Sequence, residues 1–303
     1  HIWDDHEGHI TVPLNQYNYG YIKDPRGLKK AIDGKSVRKI KLNRGVREEA
    51  REGNKRHLYY ETDVPIETRV LIDRYGDSDE PSVNTRELNF DIETEILQGF
   101  PDWKNPVNKI TAIAWHEKVS NQYSALVLDE EGKVKTSIEG NRTIISCQTE
   151  AELLHCFLEQ YEEIQPHILT GWNIEMFDIP YLIARMNRVI GHEDTMRLSP
   201  VGQINYREKI DRWFIEGVSL LDYMILYKKF TMGERPSYRL DAIGKHEVDL
   251  GKIEYEGNLD DLFNSDIDKY IEYNLNDVEI VKRLDEKLKF IDLAKAICHK
   301  GHI

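Results

Sequence analysis

The stretch that most constrains this chain is Leu88-Asn89-Phe90-Asp91-Ile92-Glu93-Thr94. Side chains alternate along a strand with a period of two, so Leu88, Phe90 and Ile92 share one face while Asn89, Asp91 and Glu93 share the other. The first face needs a core against it. The second presents two carboxylates about 7 Å apart, and like charges that close oppose folding unless positive charge lies between them. A hard divalent cation with oxygen ligands is the usual partner. Asp-x-Glu on a strand is more often a solvated edge, so residues elsewhere have to decide between the two.

The 303 residues suffice for one large or two ordinary domains, and 40% hydrophobic with 31% charged residues is a globular composition. No apolar run approaches the roughly 20 residues of a membrane helix. His1-Ile2-Trp3-Asp4-Asp5 does not resemble a signal peptide, so a cytoplasmic location is expected, and the missing initiator Met suggests a fragment. Cys147, Cys156 and Cys298 are an odd number without zinc-like or redox spacing, which speaks against a disulfide framework. Cys298-His299 with His302 reads as part of a loose tail rather than a metal site.

The net charge of −13 argues against a protein that wraps duplex over its whole surface. The charge is uneven, however. Lys23 to Arg56 holds 13 Lys/Arg against 5 Asp/Glu, a local +8 that leaves −21 for the remainder. A basic patch beside an acidic body suits a protein that holds a polyanion at one place and metal ions at another, although a solvated charged surface accounts for the patch alone equally well.

Residues 1–84 show short extended runs, Tyr17 to Ile22 and His57 to Thr62, broken by Gly and Pro, as in a small β-rich or mixed domain. Tyr75-Gly76-Asp77-Ser78-Asp79 mimics a polymerase-palm metal motif, but Glu80-Pro81-Ser82 follows it where a hairpin strand is needed, so it reads as a turn. From Leu88 the pattern becomes α/β. Ile110 to Trp115 and Tyr123 to Leu128 follow closely enough to form an antiparallel meander with the first strand. Thr149-x-x-Glu152 is a capping-box signature ahead of a helix with an apolar stripe from Leu153 to Ile164.

His167 to Thr170 reads as a buried strand, and a helix follows in which Pro180 falls in the first turn. Asp178 therefore sits near a helix N-terminus just past a strand end, where α/β sheets meet ligands. Residues 201–217 suggest a protruding hairpin. Asp222 closes a strand ahead of a helix, where Asp commonly caps, and Asp211 and Asp241 stay structural. A long helix is expected from Ile267 to about Leu293. In it Tyr270, Tyr273, Asp277, Ile280 and Leu284 step by three and four, which sets a carboxylate in an apolar or aromatic row. Tyr273, one turn before Asp277, shares its face.

Asp-x-Glu at Asp91 and Glu93, Asn-x-x-x-Phe-Asp at Asn173 to Asp178, and Tyr-x-x-x-Asp at Tyr273 to Asp277 together resemble the three motifs of the proofreading 3′→5′ exonucleases with four acidic residues. The histidine variant of the third motif carries His where Glu272 stands, so the tyrosine form is implied. The resemblance is closer still to the family B replicative DNA polymerases of T-even-like phages. It is carried by Phe90 to Glu93, Ile168 to Leu182, Ser219 to Tyr223, Leu226 to Phe230 and Pro236 to Asp241. It is specific from about 85 to 293 and diffuse before that, where the family has its N-terminal domain.

That resemblance implies an α/β, ribonuclease H-like mixed sheet with flanking helices over residues 85–293, a smaller β-rich mixed domain over 1–84, and the start of a following region, a tail, at 294–303. It implies hydrolysis of phosphodiester bonds at the 3′ end of single-stranded or mismatched DNA, in proofreading during DNA replication. Two ions, Mg²⁺ or Mn²⁺, would be held by Asp91, Glu93, Asp178 and Asp277, with Asp91 bridging both. Tyr273 would orient the attacking water. With an ordinary pKa of about 10 it is a poor base.

Phe100, in Gly99-Phe100-Pro101, resembles the family's residue that stacks on frayed 3′ bases. Phe177 belongs to the same substrate set, and Asn173 would position substrate or its own loop, with a helix-capping role for Asn173 equally open. The hairpin at 201–217 stands where the family has one that helps pass the primer strand between sites. Partners would be a single-stranded 3′ end, primer-template DNA and a polymerase domain in the same or a separate chain, in the cytoplasm of an infected bacterial host. A freestanding nuclease acting on RNA or DNA, and a non-catalytic nucleic-acid-binding module, are the rival readings. Four intact acids speak against the last.

Overall fold

A computed structural model describes residues 2–4, 6–52, 54–80, 82, 84–96 and 99–301. The chain divides into two compact units, residues 1–82 with 294–303 and residues 83–293.

The first unit begins with a two-stranded ribbon, β1 (Ile2–Asp4) with β2 (Gly8–Ile10). Then come β3 (Tyr19–Lys23), β4 (Lys29–Lys30), β5 (Ser36–Lys41), α1 (Arg44–Glu52), β6 (Tyr59–Tyr60) and α2 (Ile66–Tyr75). Its four-stranded sheet has the order β4-β5-β3-β6, with Tyr19, Tyr21 and Val37 as the buried cluster. The Lys39 ammonium lies 3.4 Å from the centre of the Tyr19 ring, so part of the basic stretch is held by cation–π contact. Tyr75 ends α2, Gly76 is its C-cap, and Ser78 N–H donates to the Tyr75 carbonyl, so Tyr75 to Asp79 is a helix end and turn as expected.

The second unit opens with β7 (Glu87–Thr94), β8 (Ile110–Glu117) and β9 (Gln122–Leu128), the antiparallel meander expected from sequence. It continues through β10 (Ser137–Glu139), β11 (Arg142–Cys147), α3 (Glu150–Ile164), β12 (Ile168–Gly171), α4 (Asp178–Val189), α5 (His192–Met196), β13 (Ile204–Arg207), β14 (Arg212–Ile215) and β15 (Ser219–Asp222). The helices α6 (Tyr223–Phe230), α7 (Leu240–Val248), α8 (Leu259–Ser265) and α9 (Ile267–Leu288) complete it, and α10 (Phe290–Gly301) starts within it. The seven-stranded sheet has the order β10-β11-β9-β8-β7-β12-β15, with β12 parallel to both neighbours. This mixed sheet between helices is the ribonuclease H-like arrangement.

The two faces of the sheet are covered differently. Leu88, Phe90 and Ile92 of β7 join Ile113, Trp115 and Leu126 beneath Leu153, Leu154, Phe157 and Leu158 of α3. On the other face Ala112, Ala114 and Ala125 are all but inaccessible, and these small side chains let Ile271, Leu275 and Val278 of α9 lie directly on the strands. Asn89 Nδ2 donates to the Val278 carbonyl over 2.8 Å and ties β7 to that helix. The charged face of β7 therefore looks at α9, the helix that carries Asp277.

Two glycines allow the close approaches that set the geometry. A Cβ on Gly171 would lie 2.4 Å from the Phe90 carbonyl oxygen, and one on Gly244 would lie 2.3 Å from that of Leu250 and 2.7 Å from Ile280 Cγ2. Neither position has room for a side chain.

The C-terminal end differs from expectation. The long helix stops at Leu288, because Lys289 is left-handed at φ 56° and Asp285 Oδ1 accepts from Ile291 N–H to begin α10. Residues 294–301, read from sequence as a tail, are helical and group with the first unit. His302 lies outside the described residues. No helix among the described residues is long and apolar enough to cross a membrane.

Candidate active site

Asp91 and Glu93 leave the same face of β7, and Asp277 reaches them from α9. One carboxylate oxygen from each lies within 4.8 Å of the others. A bulge between Glu93 and Thr94 shifts the pairing with β8 beside the two acids, the kind of irregularity that re-aims side chains at a sheet end. Asp178, in the first turn of α4, comes from the far side of β7. Its Oδ1 accepts from the Ile92 N–H over 3.1 Å, so the peptide between the two strand acids holds the third element of the pattern. Asp178 stands beside the trio rather than in it.

The ionisation of these groups follows from where they sit. Burial first, then repulsion from Glu93, Asp178 and Asp277, raises the Asp91 carboxyl well above its usual range. Burial and the Asp277 charge push Glu93 up to about 8. Asp178 is pushed up to about 7 by burial, against the Ile92 hydrogen bond that lowers it. Burial likewise raises Asp277 to about 6, with Lys252 opposing. Four carboxyls that would rather be neutral are the signature of a place short of positive charge.

Two residues that sequence reasoning missed complete the site. Lys252, just past α7, pairs with Asp277 Oδ2 and donates to the Tyr273 hydroxyl over 2.9 Å. Its segment is pinned by Asp241 Oδ1 on Lys252 N–H and by Asn276 Nδ2 on the Gly251 carbonyl. No motif in Gly251-Lys252-Ile253 announces it. Asn274, fully buried on α9, donates to Asp91 Oδ2 over 2.7 Å. Its signal was present in the sequence, since it precedes Asp277 by three on one helical face.

The Tyr273 hydroxyl stays protonated, raised by burial and the Asp277 charge, and its ring meets Tyr255 edge-on with centroids 5.4 Å apart. Glu272 points away to Arg142, 2.8 Å distant. Phe100 is 82% exposed with its ring 6.1 Å from that of Phe177, which stacks on Tyr181. Asn173 is a turn residue at φ 66°, and the N-cap of α4 is Phe177 rather than Asn173. Asp222 is a cap, as expected: its oxygens accept from Met224 and Ile225 at the start of α6 and from Asn173 and Glu175 in the loop before Asp178.

The donor set suits a hard divalent cation. It is all oxygen, it gathers several carboxylates against one ammonium, and Asp277 Oδ1 is buried with no hydrogen-bond partner among the described residues. The Lys252 ammonium supplies a single positive charge to the cluster.

Comparison with known proteins agrees with this arrangement. Residues 30–243 match the family model described as DNA polymerase family B, exonuclease domain. The chain is similar to the DNA-directed DNA polymerase of Escherichia phage RB69, 33% identical over 237 residues, with 69% of this chain and 26% of that protein covered. Against the DNA-directed DNA polymerase of Enterobacteria phage T4 it is 30% identical over 241 residues, covering 71% of this chain and 27% of that protein. The DNA polymerase catalytic subunit of Saimiriine herpesvirus 2 is 23% identical over 181 residues, covering 54% and 17%. The chain thus spans about a quarter of the length of the two phage polymerases it matches. With well over half of its residues within the family match, this chain belongs to family B of the DNA polymerases, as an exonuclease region of the T-even-like phage type.

Proposed function

We propose that the chain is the 3′→5′ proofreading exonuclease of a phage DNA polymerase, hydrolysing phosphodiester bonds at the 3′ end of single-stranded or mismatched DNA. The observation that carries this is the convergence of Asp91, Glu93 and Asp277 within 4.8 Å of one another, with Asp178 held at the intervening peptide of β7. A binding module gains nothing from four carboxylates facing a polyanion.

Asp91, Glu93, Asp178 and Asp277 would hold two ions, Mg²⁺ or Mn²⁺. Bound there, such ions lower the pKa of a water and stabilise the charge of an in-line displacement at phosphorus. The chain's own residues do the rest. Asn274 fixes one Asp91 oxygen, which leaves the other free for ligation. Ile92 N–H holds Asp178. Tyr273 keeps its proton at neutral pH and so orients a water as a donor instead of acting as a base, while Lys252 sets the direction of its hydroxyl. Phe100, exposed beside Phe177, offers a stacking surface to a base, a contact of about 1 to 3 kcal/mol that does not depend on sequence.

The test is stepwise shortening of a 5′-labelled DNA single strand from its 3′ end, with 5′-nucleotides as the released product. Turnover should require Mg²⁺ or Mn²⁺, vanish in chelator and fall by several orders of magnitude in Asp91→Ala with thermal unfolding still cooperative. An Asp91→Ala protein that degrades DNA normally would remove Asp91 from the site. Faster degradation of RNA than of DNA would make the chain a ribonuclease instead.

A further inference from the structure

The hairpin β13–β14 pairs with no other strand among the described residues. An isolated two-stranded ribbon is marginal in water, so side chains must set its direction. Tyr206 and Trp213 lie opposite each other across it. Trp103, from the loop that carries Phe100, closes on both, with ring centroids 5.1 Å from Tyr206 and 5.6 Å from Trp213, edge-on to the latter. Trp213 Nε1 is buried with no hydrogen-bond partner among the described residues, so the Trp213 indole is held by ring contact.

The same loop is clamped at its other end. Arg185 Nη1 donates to the carbonyls of Pro106 (2.8 Å) and Val107 (3.1 Å), and its guanidinium pairs with the buried Glu150, which also accepts from Ile110 N–H. Tyr181 donates to the Asn108 carbonyl, and Asn108 Nδ2 closes the loop on the Gly99 carbonyl. Residues 99–108 thus form a stalk rooted on α3 and α4, with Phe100 exposed on one side and Trp103 seated on the hairpin.

We propose that Trp103 is a positioning residue that joins the Phe100 loop to the β13–β14 hairpin, so that both meet the end of a DNA duplex as one element. The proposal rests on the exonuclease reading above and adds to it how a paired end is opened. Two independent elements would each lose conformational freedom on engaging a duplex end, whereas a joined pair loses it once, before binding. A single strand has no pair to open, so its hydrolysis does not depend on the joint.

Full chains carrying Trp103→Ala, Trp103→Phe, Trp213→Ala and the Trp103→Ala/Trp213→Ala pair are compared on a DNA single strand at saturation and on a duplex with a mismatched 3′ end. Trp103→Ala should keep the single-strand kcat within about twofold and lose roughly tenfold on the duplex, the scale of a lost aromatic contact. Trp103→Phe should recover most of that loss. The double variant should be no slower on the duplex than the worse single, because the two rings act through one contact. Equal losses on both substrates, losses that multiply, or no effect of Trp103→Ala on the duplex would each overturn the proposal. A parent chain that leaves single strands intact in Mn²⁺ would instead sink the exonuclease reading itself.

Discussion

Asn274 and Asp91, on a helix and a strand nearly two hundred residues apart in sequence, are joined by a 2.7 Å hydrogen bond from Nδ2 to Oδ2. The amide fixes the carboxylate that sits at the centre of the acidic cluster and adds no further negative charge to it. Partners that orient metal ligands are typically worth about 10- to 100-fold in metal affinity or activity. Asn274→Ala is therefore expected to raise the Mn²⁺ concentration for half-maximal hydrolysis and to lower turnover by about that factor. A metal titration identical to that of the parent chain would show that Asn274 only packs.

Lys252 bridges Tyr273 and Asp277. Breaking a fully buried ion pair costs about 3 to 5 kcal/mol, and Lys252, about one-third exposed, should cost less, on the order of 1 to 3 kcal/mol after screening. Lys252→Met should lower the melting temperature in chelator. Divalent cation should restore most of that loss, since it supplies the missing charge, yet turnover should stay reduced because the Tyr273 hydroxyl is no longer held. Calorimetry with and without Mn²⁺ separates the two effects, and a melting loss that Mn²⁺ leaves untouched would count against the electrostatic account.

Metal-free stability should fall as pH rises. Glu93 at about 8, Asp178 at about 7 and Asp277 at about 6 all lie above the ordinary values of 4.5 and 3.8. The folded state keeps protons that the unfolded chain has released, so their stabilisation is complete below about pH 4 and is lost as pH climbs to about 8. A bound cation takes the place of those protons. Melting temperatures in chelator should therefore drop between about pH 5 and pH 8, and the increment from Mn²⁺ should be larger at the higher pH. An increment independent of pH would contradict this.

Asp222 accepts four backbone N–H groups and joins α6 to the Asn173–Glu175 turn. Asp222→Ala should cost about 2 to 4 kcal/mol, more than an ordinary cap, because buried donors are left unmade. At temperatures where the variant is folded, single-strand hydrolysis should persist, whereas Asp178→Ala should lose it without a comparable fall in melting temperature. Equal loss of activity in both variants would mean that Asp222 belongs to the site.

What the sequence by itself determined was local. The period of two in Leu88 to Thr94 put Asp91 and Glu93 on one face, the steps of three and four placed Asp277 within an apolar row, and strand-end position marked Asp178 and Asp222, because backbone geometry alone sets which side chains point together. The hairpin at 201–217 was legible in the same way, whereas Phe100 and Phe177 were named only through the family resemblance and their ring contact came from the tertiary structure. The end of α9 was not, since Lys289 carries no stop signal and the break depends on Asp285 beginning a new helix. Only the tertiary structure brought Lys252 and Asn274 to the acids and Trp103 to Trp213. Those contacts depend on how closely α9 lies on Ala112, Ala114 and Ala125, how α7 lies against α9 at Gly244, and how the 99–108 loop is rooted on Arg185. Distances across packed layers follow from side-chain volumes on both partners at once, and no single segment encodes them.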